Sequence, residues 1–236
     1  MTTLTETARL GIITGLQKES ACLRGSTKRL PKAGQPLLFA AAGQAGIAEE
    51  AALRMVAEGV RGLVSFGIAG GLDPSLGPGV VVIADRVIAP GGEVISCHEP
   101  WVSKLLQHDG GFDSGPVLGS DDAVLKPVRK ARLFREHGAI AVDMESHAVA
   151  GVARASGVPF IAVRAIGDPA SRAIPRAALA GLAPDGRTRA LPVLAALLKR
   201  PKDIAGLFRI ARDTNAALNA LKRVAAMGLL ELLSES

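Results

Sequence analysis

Residues 139–168, AIAVDMESHAVAGVARASGVPFIAVRAIGD, constrain the fold more than any other stretch, because they read as strand, helix and strand in immediate succession. Ile140, Val142 and Met144 alternate as a strand requires, and Ser146–Ser156 carries helical spacing through Val149, Val152 and Ala153. Gly157 and Pro159 stop the helix, and Phe160, Ile161, Ala162 and Val163 form a buried strand. Two carboxylates break the apolar pattern. Glu145 stands at the end of the first strand and Asp168 just past the end of the second. In open α/β sheets ligands bind beyond the carboxyl ends of the strands. Two acids held there can grip a polyol and hand over a proton.

The rest of the chain supplies the same alternation. Residues 10–14 read as a first strand, followed by a short helix over 16–23 with Glu19 one turn in. Glu19 is either an ordinary exposed helix acid or a functional group. Residues 28–36 are a polar turn and 37–42 a second strand. The next helix places Ile47, Ala51 and Met55 beside Ala48, Ala52 and Val56, a core stripe without chemistry. A third strand over 63–68 opens into GIAGGLDPSLGPG. Gly67, Gly70 and Gly71 let backbone approach a ligand, and the amides from Gly67 through Ile68 and Ala69 to Gly71 can form an anion-binding nest. The spacing fails the dinucleotide fingerprint, and the loop runs through Pro74 and Pro78 into a strand instead of opening a helix.

Residues 80–89 are a long apolar strand interrupted by Asp85 and Arg86, as in a barrel-like crossing of the sheet. A helix over 100–108 carries Trp101, with a core position as the first reading and a pocket wall as the second. His98 and His108 lack metal-ligand spacing, and no metal site is read. Residues 119–124, GSDDAV, follow a short strand, with Ser120 or Asp121 placed to cap a helix. Beyond Asp168, a Gly/Pro-broken linker leads to a short apolar helix from about Leu191 and a longer one restarted by Pro201, with Ile204, Leu207, Phe208, Ala211, Leu218, Leu221 and Ala225 at helical spacing.

At 236 residues, 48% hydrophobic and 21% charged, the chain suits one globular domain, 1–236, with 187–236 as a helical C-terminal extension. With no Tyr and few rings, a site here must rely on aliphatics and Met. Cys22 and Cys97 stand far apart, which suits a reducing cytoplasmic compartment. No signal peptide is visible, and no apolar run approaches the roughly 20 residues of a membrane span. The net charge of +6 is concentrated in the last fifty residues. It reads first as a solvated helix face, and second as peripheral contact with anionic lipid at the inner membrane through 191–211. Nucleic acid is set aside, because neither aromatic interleaving nor a helix-turn-helix pattern accompanies the charge.

The DME of 143–145 and the RAIGD of 164–168 resemble the signature pair of the purine nucleoside phosphorylase and methylthioadenosine/S-adenosylhomocysteine nucleosidase superfamily. The GII of 11–13 with Glu19 downstream, and the GIAGG of 67–71, fall in the same order, so the resemblance spans about residues 9–170. The segment after Asp168 is similar to the hopanoid-associated phosphorylase branch, whose proposed substrate is adenosylhopane. The resemblance implies a three-layer αβα fold around a mixed, partly barrel-like sheet, with extra C-terminal helices. It implies Asp168 as the acid at the purine and Glu19 as the group that activates water. Glu145 would hold the ribose hydroxyls, Met144 would lie under the sugar and Arg164 would support Asp168. Ile68, Ala69 and Gly70 would line the site, and Val124 falls on the flap where a stacking Phe is expected. No cofactor is implied beyond phosphate as a co-substrate. The phosphorylases' hydroxyl and Arg are replaced here by Ile68 and Ser65, so the chemistry leans to hydrolysis. The partners implied are an adenine nucleoside, lipid-linked in the hopanoid reading, and a second copy of the chain. A general methylthioadenosine nucleosidase and a non-catalytic nucleoside- or lipid-binding protein are the alternatives.

Overall fold

A computed structural model describes residues 9–108, 110–175 and 204–234. Eight strands form one mixed sheet that closes partly on itself. Strand β1 (Leu10–Thr14) lies between β2 (Leu37–Ala40) and β3 (Gly62–Gly71), parallel to both. Strand β8 (Phe160–Asp168) runs parallel along the other side of β3. It also pairs antiparallel with β4 (Val81–Ile88), which pairs with β6 (Asp113–Gly119) and with the short β5 (Val94–Ser96). Strand β7 (Ala141–Asp143) then joins β6 back to the end of β3. The circuit β3-β8-β4-β6-β7 is therefore a closed five-stranded barrel, and β1 and β2 extend it as an open wing. This is the αβα, partly barrel-like fold that the family resemblance implies.

The barrel crossing has a local cause. Between Ala84 and Val87 the β4–β6 register shifts, so the interrupting pair Asp85 and Arg86 is an irregularity in β4. Extra residues of this kind bend a strand and increase its twist. A second irregularity shifts the β3–β8 register, pairing Ala69 with Ile166 but Gly70 with Asp168. Gly167 is thereby skipped and Asp168 comes level with Gly70. Strand β8 runs through Asp168 itself, longer than the four apolar residues suggest, because the polar Arg164 is buried inside the barrel and does not end it.

Helix α1 (Gln17–Cys22) and α2 (Arg24–Arg29) follow β1, and α3 (Ala45–Ala57) follows β2. Helix α3 buries Ala48, Ala51, Ala52 and Met55, the stripe seen in the sequence. Helix α4 (Glu99–Gln107) buries Trp101, which touches the start of β3: a Cβ on Gly62 would stand 2.3 Å from its ring. Trp101 is thus core, away from the acids, and its pocket reading is dropped. Helix α5 (Pro127–His137) begins at Pro127, so neither Ser120 nor Asp121 caps it. Helix α6 spans Ser146–Ser156, bounded by Glu145 and a left-handed Gly157 as the sequence predicts.

The C-terminal helix α7 (Ile204–Ala226) packs on β8 and is followed by α8 (Leu229–Ser234). Its second half buries Ala217, Ala220, Leu221, Val224 and Ala225. The first half does not follow the apolar stripe inward: Ile204 and Ala211 are exposed, and Phe208 is 75% exposed. The short helix expected near 191 and the restart at Pro201 lie outside the described residues. No helix among the described residues is long and apolar enough to cross a membrane. The two halves of α7 should respond differently to truncation. Leu221→Ala is expected to cost about 2–5 kcal/mol in urea unfolding, whereas Phe208→Ala should stay within about 0.5 kcal/mol.

Candidate active site

The carboxyl end of β3 is where the sheet delivers its acids. Gly70 is level with Val142 of β7 on one side and with Asp168 of β8 on the other. A Cβ there would sit 3.2 Å from Asp168 Oδ2 and 3.3 Å from Val142, so glycine leaves space for both neighbours. Beyond β7, Met144 and Glu145 lead into α6, and Glu145 is its N-cap. From the open wing, α1 swings Glu19 over the same strand.

Glu19 is 3% exposed, so the surface-acid reading is excluded. Its Oε1 accepts the Ile68 N–H at 2.9 Å and its Oε2 accepts the Leu16 N–H at 2.8 Å. Two glycines make room for these acids. A Cβ on Gly67 would lie 2.8 Å from Glu19 Oε2, and one on Gly15 would lie 2.6 Å from Glu145 Oε1 and 3.4 Å from Glu19 Oε2. The anion nest expected in the glycine stretch does not form. Gly67, Gly70 and Gly71 are strand residues with no positive φ, and the Ile68 amide is already engaged by Glu19.

One cavity of about 270 Å³ joins these groups, near the lower end of small-molecule sites. Glu19, Glu145 and Asp168 line it together with Met144, Ile68, Ala69, Gly70 and Val124. Gly67 does not line it and acts from behind, through Glu19. The remaining wall is one that sequence motifs did not indicate: Ile174 after β8, and Ile210 and Thr214 of α7. Arg172 binds Asp213 of α7 at 2.9 Å, and the Ile174 N–H donates to Leu125 O at 2.9 Å. The flap, the segment after β8 and α7 are therefore tied together around the mouth.

Arg164 does not support Asp168. Its guanidinium is buried against Asp143 and also donates to Ser65 Oγ, and Asp143 in turn accepts the N–H and hydroxyl of Ser146. Residues 164 and 168 lie four apart on one strand, about 13 Å along it, which is too far for direct contact. Arg164 acts instead on the acids nearer to it. Burial opposes its charge, but Asp143 and Glu145 outweigh that and hold it protonated. Asp168 takes its cation from α5. Lys130, wholly buried, donates to Asp168 Oδ2, to Asp168 O at 3.0 Å and to Pro169 O at 3.0 Å. Sequence reading missed it because Lys130 stands in a basic stretch. The available signal was its helical register with Leu133 and Phe134, the apolar face of α5.

Burial dominates the titration of all three acids. It raises Glu19 against the opposing hydrogen bonds from Ile68 and Leu16. Glu145 is pushed up to about 8 by burial, then by the charge of Asp143, with Arg164 pulling the other way. Asp168 is pushed up to about 6 by burial, against the attraction of Lys130. Such shifts, converging in one cavity, mark sites where protons are moved.

The architecture is that of an α/β protein whose candidate site gathers acids from a helix of the open wing and from the ends of barrel strands. The pattern of the phosphorylase superfamily matches residues 18–200. The chain belongs to that superfamily and is an enzyme that cleaves N-glycosyl bonds. It is 27% identical to the 5′-methylthioadenosine/S-adenosylhomocysteine nucleosidase of Mycobacterium bovis, over 67% of this chain and 85% of that protein. The S-adenosylhomocysteine nucleosidase of Streptococcus pyogenes superposes with a TM-score of 0.72 at 17% identity, covering 98% of each chain. The native futalosine hydrolase of Helicobacter pylori does so with 0.71 at 14% identity, covering 98% of this chain and 99% of that one.

The raised Glu145 gives a stability prediction. Its folded value, about 8, lies above its ordinary 4.5, so its contribution is intact below about 4.5 and is lost as pH rises through 8. Glu145→Gln removes that loss. The variant should melt at least about 3 °C above the parent at pH 8, with the difference vanishing near pH 4.5 in calorimetry.

Proposed function

We propose that this site hydrolyses the N-glycosidic bond of an adenine nucleoside. The observation that carries the reading is the convergence of Glu19, Glu145 and Asp168 on one cavity. A purine leaves poorly as an anion, and the ribosyl group gains oxocarbenium character as the bond stretches. Catalysis therefore needs a proton at the base, a hold on the ribose hydroxyls, and a nucleophile at the opposite face of C1′. Asp168, protonated, donates to N7 and accepts from the 6-amino group. Glu145 accepts from the 2′ and 3′ hydroxyls, and Met144 packs under the sugar. Glu19 takes the proton of the attacking water.

Water is favoured over phosphate by what the cations and amides near the cavity already do. Arg164 is consumed by Asp143 and Ser65, Lys130 by Asp168 and two carbonyls, and the Ile68 amide by Glu19. An arriving phosphate finds acids where it needs donors. The reading calls for no metal or cofactor. Among the described residues no group of His, Cys, Asp and Glu is placed to hold a metal.

For the 5′ substituent, the relatedness to the mycobacterial nucleosidase favours a small thioether. The second reading, adenosylhopane in hopanoid biosynthesis, is supported by α7. Ile210 lines the cavity and brings an apolar side chain of α7 to its mouth, while Ile204 and Phe208 stay exposed on another face of the same helix, apolar surface outside the pocket. The proposed membrane contact of 191–211 reaches the described residues only from Ile204 onward, and a homo-oligomer remains part of the reading through the resemblance.

Adenine release from methylthioadenosine should proceed at full rate in phosphate-free buffer, yielding free pentose and no sugar phosphate by mass analysis. Strict phosphate dependence would refute hydrolysis. Asp168→Asn should lower kcat by about 10²–10⁴-fold while leaving the fold intact by circular dichroism. Comparing kcat/KM for methylthioadenosine with that for adenosylhopane decides between the 5′ substituents.

A further inference from the structure

Lys130 is the one fully buried residue of α5, a strongly charged helix whose other residues are half-buried or exposed. It occupies the turn before Leu133 and Phe134, on the face that packs against Leu72, Leu118 and Val142. An apolar side chain would fill such a place at low cost, whereas a buried ammonium must find every partner it needs. Lys130 finds three. An ammonium has three N–H donors, and its acceptors are Asp168 Oδ2, Asp168 O and Pro169 O. None is left for a ligand, and Lys130 does not line the cavity. It acts through Asp168.

We propose that Lys130 is the positioning and specificity-determining residue of the base site, holding Asp168 Oδ2 as a permanent acceptor so that Oδ1 alone carries the proton. The assignment rests on the reading of Asp168 as the acid at the purine. The two carboxyl oxygens then do different work. Oδ1–H donates to N7, and the lone pair left on Oδ2 accepts from a 6-amino group. A 6-oxo purine presents an acceptor to that same oxygen and is refused. With Lys130 removed, the proton can move to either oxygen and the refusal weakens. Donation to the carbonyls of residues 168 and 169 also fixes the strand end at the height where the acid meets the base.

Among the described residues, the charged groups that face Asp168 are Lys130 from α5, Arg172 from the segment after β8 and Asp213 from α7, with Asp122 of the flap and Glu19, Asp143 and Glu145 on the cavity wall. Lys130 is the first of these to lower its titration, and Asp213 opposes it. Loss of the ammonium therefore moves the titration of Asp168 upward.

The test uses the full chain with Lys130→Gln, whose amide still donates to the carbonyls, and Lys130→Met, which does not. Three readouts are followed: the pH profile of kcat/KM for adenine release, the ratio of kcat/KM for adenosine over inosine, and the ¹³C titration of the Asp168 carboxyl without substrate. In Lys130→Gln the alkaline limb is expected to move up by at least about one pH unit. The adenosine-to-inosine ratio should fall about tenfold, and the carboxyl titration should move with the limb. Lys130→Met should show the same shifts with a lower kcat. Unmoved limb, ratio and titration, with only a uniform loss of activity or of folded protein, would overturn the proposal. If the parent releases no adenine the nucleoside reading falls. The carboxyl titration of Lys130→Gln then still decides, and an unmoved value overturns the coupling by itself.

Discussion

The structure depends on keeping several like charges together in a place where water does not screen them. Glu19, Asp143, Glu145 and Asp168 all stand at the carboxyl end of the barrel. Left to themselves, buried carboxylates at such range would take up protons or open the fold. Two cations divide the charge. Arg164 is committed to Asp143 and Lys130 to Asp168. Glu19 has no cation of its own and is held by two backbone amides, and Glu145 is left with the pull of Arg164, already committed to Asp143, and a backbone hydrogen bond from Met144. Glu145, the acid read as meeting the sugar hydroxyls, thus has a place for the donors that a bound ligand would supply.

This arrangement explains the glycines better than phosphate binding does. Gly15 and Gly67 face carboxylates at distances where a Cβ would collide, and Gly70 faces Asp168 where a Cβ would be a tight fit. A glycine-rich strand end therefore serves here to let acids approach the backbone closely. A cradle for an anionic ligand would want free amides at the same place, and the Ile68 amide is already given to Glu19.

Much of this was legible in the sequence, for reasons of range. Helix α6, its bounding residues and the strands on either side rest on local periodicity and on Gly157, so they could be read directly. The Asp85–Arg86 interruption of an apolar strand likewise foretold the irregularity that turns the sheet. The partners of the buried charges could not be read. Arg164 looked like the partner of Asp168 because the two share a strand, yet the strand itself keeps them apart, and Asp143 reaches Arg164 only through barrel closure. Lys130 was hidden among other cations on its helix. The strand β5 is three residues long, too short for an alternation to show.

The C-terminal helix joins stability to the site. Its second half is anchored in the core by Leu221 and Val224, while Ile210 and Thr214, about two to four turns earlier, form part of the cavity wall. Between these halves the buried Asp213 holds Arg172 and so the segment that leaves β8. Asp213 also raises Asp168 against the pull of Lys130. The last helix thus contributes a charge to the acid as well as a wall to the pocket. Moving its outer half away would leave the barrel and the three acids in place. It would also open the cavity to water, which screens charge and would lessen the burial that raises Asp168. The wall that α7 adds to the pocket and the raised titration of Asp168 thus have one source, the exclusion of water from the barrel end.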